Sequence, residues 1–329
     1  MSLNREAVVA AAQRIAGQVE RTPLIEAGLA GSRFWLKAEC LQTGGSFKLR
    51  GATNRLLGLD QTERRAGVVA FSSGNHAQGV AIAAARLGIR ATIVMPADAP
   101  ALKVAGTRGQ GAEVVFYDRA SEDRVEIARR LADERGAVIV PSFDDPHIVA
   151  GQGTAGLEIA EQCPEPVRRI LVCTGGGGLA AGIALALPEA EIVCVEPEGW
   201  DDMGRSLEAG AIEPVEPNPP PTLCDALQTP LVSPITFGIL HARGARGISV
   251  SEEDVKAAVR WAWEKLQLVV EPGGAVALAA LLAGRVPLEP GTVATLSGGN
   301  IDPQLHQQIL AETRAEGRIR RLPSDTRPG

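Results

Sequence analysis

Residues 169–182 read RILVCTGGGGLAAG: an apolar, partly β-branched run, four glycines, then a helix-forming stretch. Strand, glycine turn and helix in that order make an anion site. Backbone without side chains can approach an oxyanion closely, its N–H groups converge on it, and the positive end of the helix dipole adds attraction. Four successive glycines cost chain entropy, so the turn is expected to serve a phosphate rather than looseness. Working outward, the pattern places a helix at 154–162, a helix at 179–187, a strand at 191–195 and a strand at 293–296 that runs into Ser297-Gly298-Gly299-Asn300. Upstream, strands at 68–71, 91–95, 113–117 and 138–140 alternate with helices opening near Asn75, after Pro100 and near Ser121. Strands joined through helices run parallel, so their C-termini open on one edge, where site loops gather. The fold class predicted is α/β, with two open twisted sheets flanked by helices.

A chain of 329 residues suggests two domains with a cleft between them. A net charge of -6 with 3% aromatic residues offers neither a phosphate-tracking field nor a base-stacking surface, which argues against a nucleic acid partner. Five cysteines, Cys40, Cys163, Cys173, Cys194 and Cys224, lie far apart and never form CxxC, so neither a zinc site nor a disulfide framework is expected. The first residues lack a secretion pattern, and no apolar run approaches the roughly 18 residues that cross a membrane. No membrane association and a cytoplasmic location are the expectations.

Two chemistries compete for the glycines. Gly176-x-Gly178-x-x-Ala181, with Glu196 closing the next strand, also fits a dinucleotide fingerprint and its ribose-binding acid, so an NAD-binding dehydrogenase is a rival reading. A second match, Gly151–Gly156, lacks a preceding strand and reads as helix entry. Neither GxxxxGK[ST] nor GxSxG occurs. Lys48, in Thr43-Gly44-Gly45-Ser46-Phe47-Lys48, stands out because only five of 33 basic residues are lysines. A primary amine can condense with an aldehyde to an imine, and partial burial would free it of its proton. A helix-start charge is the alternative.

SFKLRGA around Lys48, SSGNHAQG at 72–79, GGGGLAAG at 175–182 and SGGN at 297–300, in this order, resemble the pyridoxal-phosphate enzymes of the threonine dehydratase and serine racemase family, from about residue 22 to about 303. The resemblance implies fold type II, similar to the tryptophan synthase β-subunit, with a large discontinuous domain at 1–52 and 146–329 and a small α/β domain inserted at 53–145. It makes Lys48 the imine-forming lysine beside Phe47, and Gly175, Gly176, Gly177, Gly178 and the amide of Leu179 the cradle for the cofactor phosphate. Asn75 would contact the ring hydroxyl. Ser297 would face the pyridine nitrogen, and a neutral hydroxyl there favours elimination over transamination. Ser72, Ser73, Asn75 and His76 would bind the substrate carboxylate.

The activity so implied is β-elimination of water from L-threonine or L-serine, giving a 2-oxo acid and ammonia, with Lys48 taking the Cα proton. Ser73 matches the opposite-face acid/base of racemases, so a serine or aspartate racemase and a 3-hydroxyaspartate dehydratase are alternatives within the family. Glu196, the Trp200 carbonyl and Asp202 resemble the loop of members that bind magnesium or calcium, whose hard ions suit oxygen ligands. Arg124 aligns with a racemase arginine near the substrate side chain, although an exposed helix arginine is the simpler account. A small-molecule amino acid substrate and a homodimer complete the expectation.

Overall fold

The apolar runs pair into two sheets, and those at 68–71, 91–96, 169–173, 191–197 and 292–296 are buried on both faces, the condition under which parallel strands read as unbroken Val/Ile/Leu/Ala segments. The computed structural model describes residues 3–319 apart from Ala30, Ser73 and Pro100. Its strands are β1 (Leu24–Leu29), β2 (Ser32–Ala38), β3 (Val68–Phe71), β4 (Ala91–Pro96), β5 (Glu113–Tyr117), β6 (Val138–Ile139), β7 (Arg169–Cys173), β8 (Glu191–Pro197), β9 (Arg246–Val250) and β10 (Thr292–Leu296). The larger sheet has the order β1-β2-β10-β7-β8-β9, the smaller β5-β4-β3-β6. Only the β1–β2 pair is antiparallel. The α/β class and the two helix-flanked sheets agree with the sequence expectation.

Helices cover both faces of the larger sheet. Glu252–Leu266 and Pro272–Leu282 bury one apolar cluster, while Pro146–Gln162 and Gly178–Ala186 bury another on the opposite face. Their starts follow local chemistry. The Asp145 side chain accepts from the His147 and Ile148 amides ahead of Pro146, and Ser251 with Asp254 forms a reciprocal capping box. The Gly151–Gly156 motif lies inside Pro146–Gln162. A Cβ at Gly182 would come within 2.5 Å of the Gly153 amide and the Val149 carbonyl, so the two helices meet backbone to backbone. Those glycines serve packing, and the helix beneath the glycine turn is thereby set at a fixed depth.

Three strands lie outside the sequence expectation: β1, β2 and β9. In β2 the run SRFWLKA is broken by Lys37, which is nevertheless fully buried. Its amine donates to Glu158 at 2.6 Å, Gln162 at 3.0 Å and the Thr22 carbonyl at 2.7 Å. Beside it Arg50, also fully buried, grips Glu39 through Nε and Nη2, each at 2.8 Å, and reaches Glu158 at 2.7 and 2.9 Å. Burial alone would push the Glu39 carboxyl up, but the charge and hydrogen bonds of Arg50 hold it below its ordinary value. Two cations and two carboxylates thus tie helix Lys48–Leu57 to β2 and to helix Pro146–Gln162.

Removing one member leaves a buried charge without its partner, which costs about 3–5 kcal/mol. Glu39→Ala is therefore expected to lower the denaturant midpoint accordingly, and Glu39→Leu combined with Arg50→Met to recover part of the loss. Equilibrium urea unfolding of the three proteins measures both effects.

Candidate active site

The C-terminal ends of β3, β6, β7 and β10 feed loops into one cleft of about 630 Å³ between the sheets. Lys48 opens helix Lys48–Leu57, with Phe47 at its cap, and its Nζ lies 5.0 Å from the centre of the Phe47 ring. The amine donates to the Ser142 carbonyl at 3.2 Å. Opposite, Gly175 to Gly178 leave β7 and enter helix Gly178–Ala186, whose first-turn amides have no acceptor within the helix. Gly177 holds a left-handed φ of 82°, which a side chain would strain, and a Cβ there would press on Met203. A Cβ at Gly176 would run into the Phe143 ring. A glycine turn with Leu179 just behind it, aimed into the cleft from a helix N-terminus, fits a cofactor phosphate.

The remaining expected residues converge on the same space. Ser72, Asn75, His76 and Ser297 line the cleft with Lys48, Phe47 and the glycines, whereas Ser73 lies outside the described residues. The Ser72 hydroxyl accepts the Gly74 amide at 3.2 Å, shaping the turn into helix Asn75–Leu87. Asn75 is fixed from both ends: its amide nitrogen donates to Glu271 at 2.5 Å, and its carbonyl oxygen accepts from Asn300 at 2.7 Å. One N–H of Asn75 stays free for a ligand.

Electrostatics inside the cleft favour uncharged groups. The Lys48 amine is enclosed by protein, and lost hydration pushes its pKa from 10.5 down to about 8, against the pull of the Glu271 charge. Glu271 is pushed up to about 7 by burial and by Asp225, while the Asn75 hydrogen bond opposes the rise. His76 is pushed down to about 3, first by burial and then by Lys48. Its Nε2 meets the Val140 carbonyl at 2.8 Å, which assigns the proton there and leaves Nδ1 a buried acceptor without a partner. The ring therefore offers no donor to a carboxylate. The backbone amide at the start of its helix is what His76 can contribute.

Several cleft residues carry little signal in the sequence. Glu271 precedes Pro272 and looks like an ordinary helix cap; Ser142 and Phe143 follow the two-residue strand β6; Thr229 comes in from the loop behind Asp225–Leu227. The acidic loop is a separate place. Glu196 is fully buried and accepts the amides of Met203 at 3.0 Å and Gly204 at 2.8 Å. With both oxygens taken by these amides, it lines a separate pocket with Asp201 and Arg205 rather than the cleft of the glycine turn, so it is not placed to hold a ribose there, and the dinucleotide reading fails. Both carboxylate oxygens of Asp202 are buried without a hydrogen-bond donor. The Trp200 indole donates to the Pro220 carbonyl at 2.9 Å. Among the described residues no three acidic, imidazole or thiol side chains group as metal ligands.

A neutral amine is the form that attacks an aldehyde, so a lowered pKa extends its reactivity toward neutral pH. The rate at which apoprotein captures pyridoxal phosphate, followed by imine absorbance across a pH series, is expected to rise through a midpoint near 8; a midpoint near 10.5 would mean a hydrated lysine.

Comparison with known proteins bears on the same residues. The family described as "Pyridoxal-phosphate dependent enzyme" matches residues 15–299. An L-threo-3-hydroxyaspartate ammonia-lyase of Pseudomonas sp is 42% identical over 92% of this chain and 97% of its own. A serine racemase of Schizosaccharomyces pombe is 38% identical over 93% and 96%. The crystal structure of the T.th. threonine deaminase superposes with a TM-score of 0.84 at 45% identity, covering 91% of this chain and 99% of that one. With a lysine and a glycine turn facing one cleft and this breadth of likeness, the chain belongs to the pyridoxal-phosphate dependent enzymes of fold type II, the family of the threonine dehydratases and serine racemases.

Proposed function

We propose that the protein eliminates water from a 3-hydroxy amino acid, the class that contains L-serine, L-threonine and 3-hydroxyaspartate, to give a 2-oxo acid and ammonia. The Lys48 amine in the cleft, whose pKa lost hydration lowers to about 8 so that it sheds its proton more readily than a hydrated lysine, carries this reading. Bound pyridoxal phosphate would supply an aldehyde that exchanges amines and a ring that spreads the Cα electron pair. The glycine turn would hold its phosphate, the free N–H of Asn75 its ring oxygen and the Ser297 hydroxyl its ring nitrogen, with no charge added at that nitrogen. Ser72, Ser73 and the first amides of helix Asn75–Leu87 would orient the substrate carboxylate. Lys48, its amine free, would accept the Cα proton and pass it to the departing β-hydroxyl, which would leave as water. The enamine released tautomerises to an imine and hydrolyses.

The relatives at 38–42% identity are named as ammonia-lyases and as a racemase, which supports lyase chemistry with racemisation as the second reading. The domain boundaries at 53 and 145 are part of the proposal; β3 to β6, which make up the smaller sheet, all fall between them. So is the homodimer. A divalent cation, Mg²⁺ or Ca²⁺, is proposed at Glu196, the Trp200 carbonyl and Asp202, because these two carboxylates are fully buried and only the part-exposed Arg205 offsets the charge of Asp202. Burial pushes Asp202 up to about 7 and raises Glu196 as well, Asp202 adding to the latter.

Borohydride reduction of the yellow holoenzyme followed by peptide mass spectrometry is expected to find the pyridoxyl group on Lys48, and Lys48→Ala to abolish ammonia release. A label on another side chain overturns the assignment. Chiral analysis of the remaining amino acid, run beside keto acid assay, separates elimination from racemisation. Mg²⁺ or Ca²⁺ is expected to raise the melting temperature of the wild type and to leave Asp202→Asn unmoved.

A further inference from the structure

The motif at 297–300 ends on a residue to which the site described above gives no task of its own. Asn300 follows Ser297 on a stretch laid against the turn that leads to Lys48: the Phe47 amide donates to the Ser297 carbonyl at 3.2 Å, and the Gly299 amide to the Gly45 carbonyl at 2.9 Å. The Glu271 amide donates to the Gly298 carbonyl at 3.0 Å, which brings the start of helix Pro272–Leu282 to the same place. A side chain at Gly45 would run into Asn300, and one at Gly298 into Glu271. Bare backbone at those two positions lets three segments close on Asn75.

The donors and acceptors gathered there permit one orientation of the Asn75 amide. The Asn300 side-chain nitrogen donates to the Gly44 carbonyl at 2.8 Å. A backbone carbonyl only accepts, so this end of Asn300 is its NH₂, and the second N–H goes to Asn75 at 2.7 Å. The Asn75 atom that receives it is therefore the oxygen. From the other side Glu271 takes one N–H of Asn75 at 2.5 Å. Turning the amide over would set its oxygen against a carboxylate and its N–H against an N–H, and both bonds would be lost. Asn75 and Glu271 line the cleft with Lys48 and Ser297, so the remaining N–H is the one that a ligand meets.

Resting on the placement of Asn75 at the cofactor's ring oxygen proposed above, we infer that Glu271 and Asn300 are positioning residues that oblige Asn75 to offer that oxygen an N–H and never its carbonyl. A donor there favours the ring oxygen as an anion, and the proton it shares with the imine nitrogen then rests on nitrogen. An imine protonated on nitrogen is the better electrophile toward an incoming amine and draws electrons more strongly from Cα. A carbonyl in the same place would call the proton back to the ring oxygen. The choice between two tautomers is thus made one hydrogen bond away from the cofactor, by side chains that do not touch it.

The test exchanges donor for acceptor at constant net charge. In Glu271→Gln combined with Asn300→Asp the two partners of Asn75 trade roles, which turns its amide over with little change in volume. Read on the holoenzyme at one pH, the ratio of the yellow band of the nitrogen-protonated imine to the near-ultraviolet band of the oxygen-protonated form is expected to fall at least about tenfold, the scale of one hydrogen bond to a charged group. The rate at which L-serine displaces Lys48, followed by stopped-flow absorbance, is expected to fall with it. Glu271→Gln alone, whose amide oxygen still accepts from Asn75, is expected to keep the wild-type ratio. A merely structural role would lower cofactor affinity or melting temperature and leave the ratio of the double variant unmoved; that result overturns the inference. Where the double variant does not fold or load, the wild-type apoprotein decides with deoxypyridoxine phosphate, which has the ring oxygen but no aldehyde. Its ring oxygen is expected to bind ionised, as its absorbance reports, and a bound form protonated on oxygen overturns the inference as well. Absence of any imine on Lys48 in the wild type counts against the placement of the cofactor instead, and the deoxypyridoxine phosphate spectrum then decides the orientation of Asn75 alone.

Discussion

The site depends on a knot of four charges, three of them fully buried. Arg50 lies two residues after Lys48, on the helix that Lys48 opens, and its guanidinium is clamped between Glu39 and Glu158 while Lys37 holds the far side of Glu158. A helix start would ordinarily fray, since its first amides lack partners. Here the first turn is bolted to a strand of the larger sheet and to the long helix on its face. The reactive amine can be enclosed and still sit at one depth because its own backbone cannot retreat. Such a knot is poor value as stability compared with apolar packing, and its usefulness lies in placement.

Above the knot, the interior of the cleft suppresses charge. Lys48, His76 and Glu271 are each moved by burial toward their neutral forms, and Ser297 brings only a hydroxyl. Formal charges that persist lie at the mouth, on Lys103, Asp225, Arg124 and Arg129. The floor is thereby suited to an electron-accepting ring and the rim to sorting what enters. Electrostatic work is strongest in a floor of that kind, where water does not compete.

Much of this is legible in the chain. RILVCTGGGGLAAG announces strand, turn and helix because a parallel strand buried on both faces leaves no polar residue to blur it, and the four glycines have no cheaper use. The lysine is visible because arginine is this chain's habitual cation. What stays hidden depends on partners far away in sequence. β2 escapes notice because Lys37 interrupts it, and the carboxylate that makes its burial tolerable, Glu158, is 121 residues on. Glu271 looks like a cap because its partner Asn75 is 196 residues back. His76 reads as a substrate ligand until the Val140 carbonyl fixes which ring nitrogen bears the proton. Periodicity reports which face is wet; it is silent about which distant side chain answers a charge.

The order of strands in the larger sheet sets a timetable for biosynthesis. β10 lies between β2 and β7, yet among the described strands it is the last to leave the ribosome. Until it emerges, the edges of β2 and β7 that will receive it have unpaired backbone groups, whereas the smaller sheet has all its strands by residue 139. Nascent chains fold by units as these become available, and an unpaired edge invites the wrong neighbour. A ribosome stalled before β10 would therefore present a finished inner lobe on an unfinished outer one, a state that chaperones would have reason to hold.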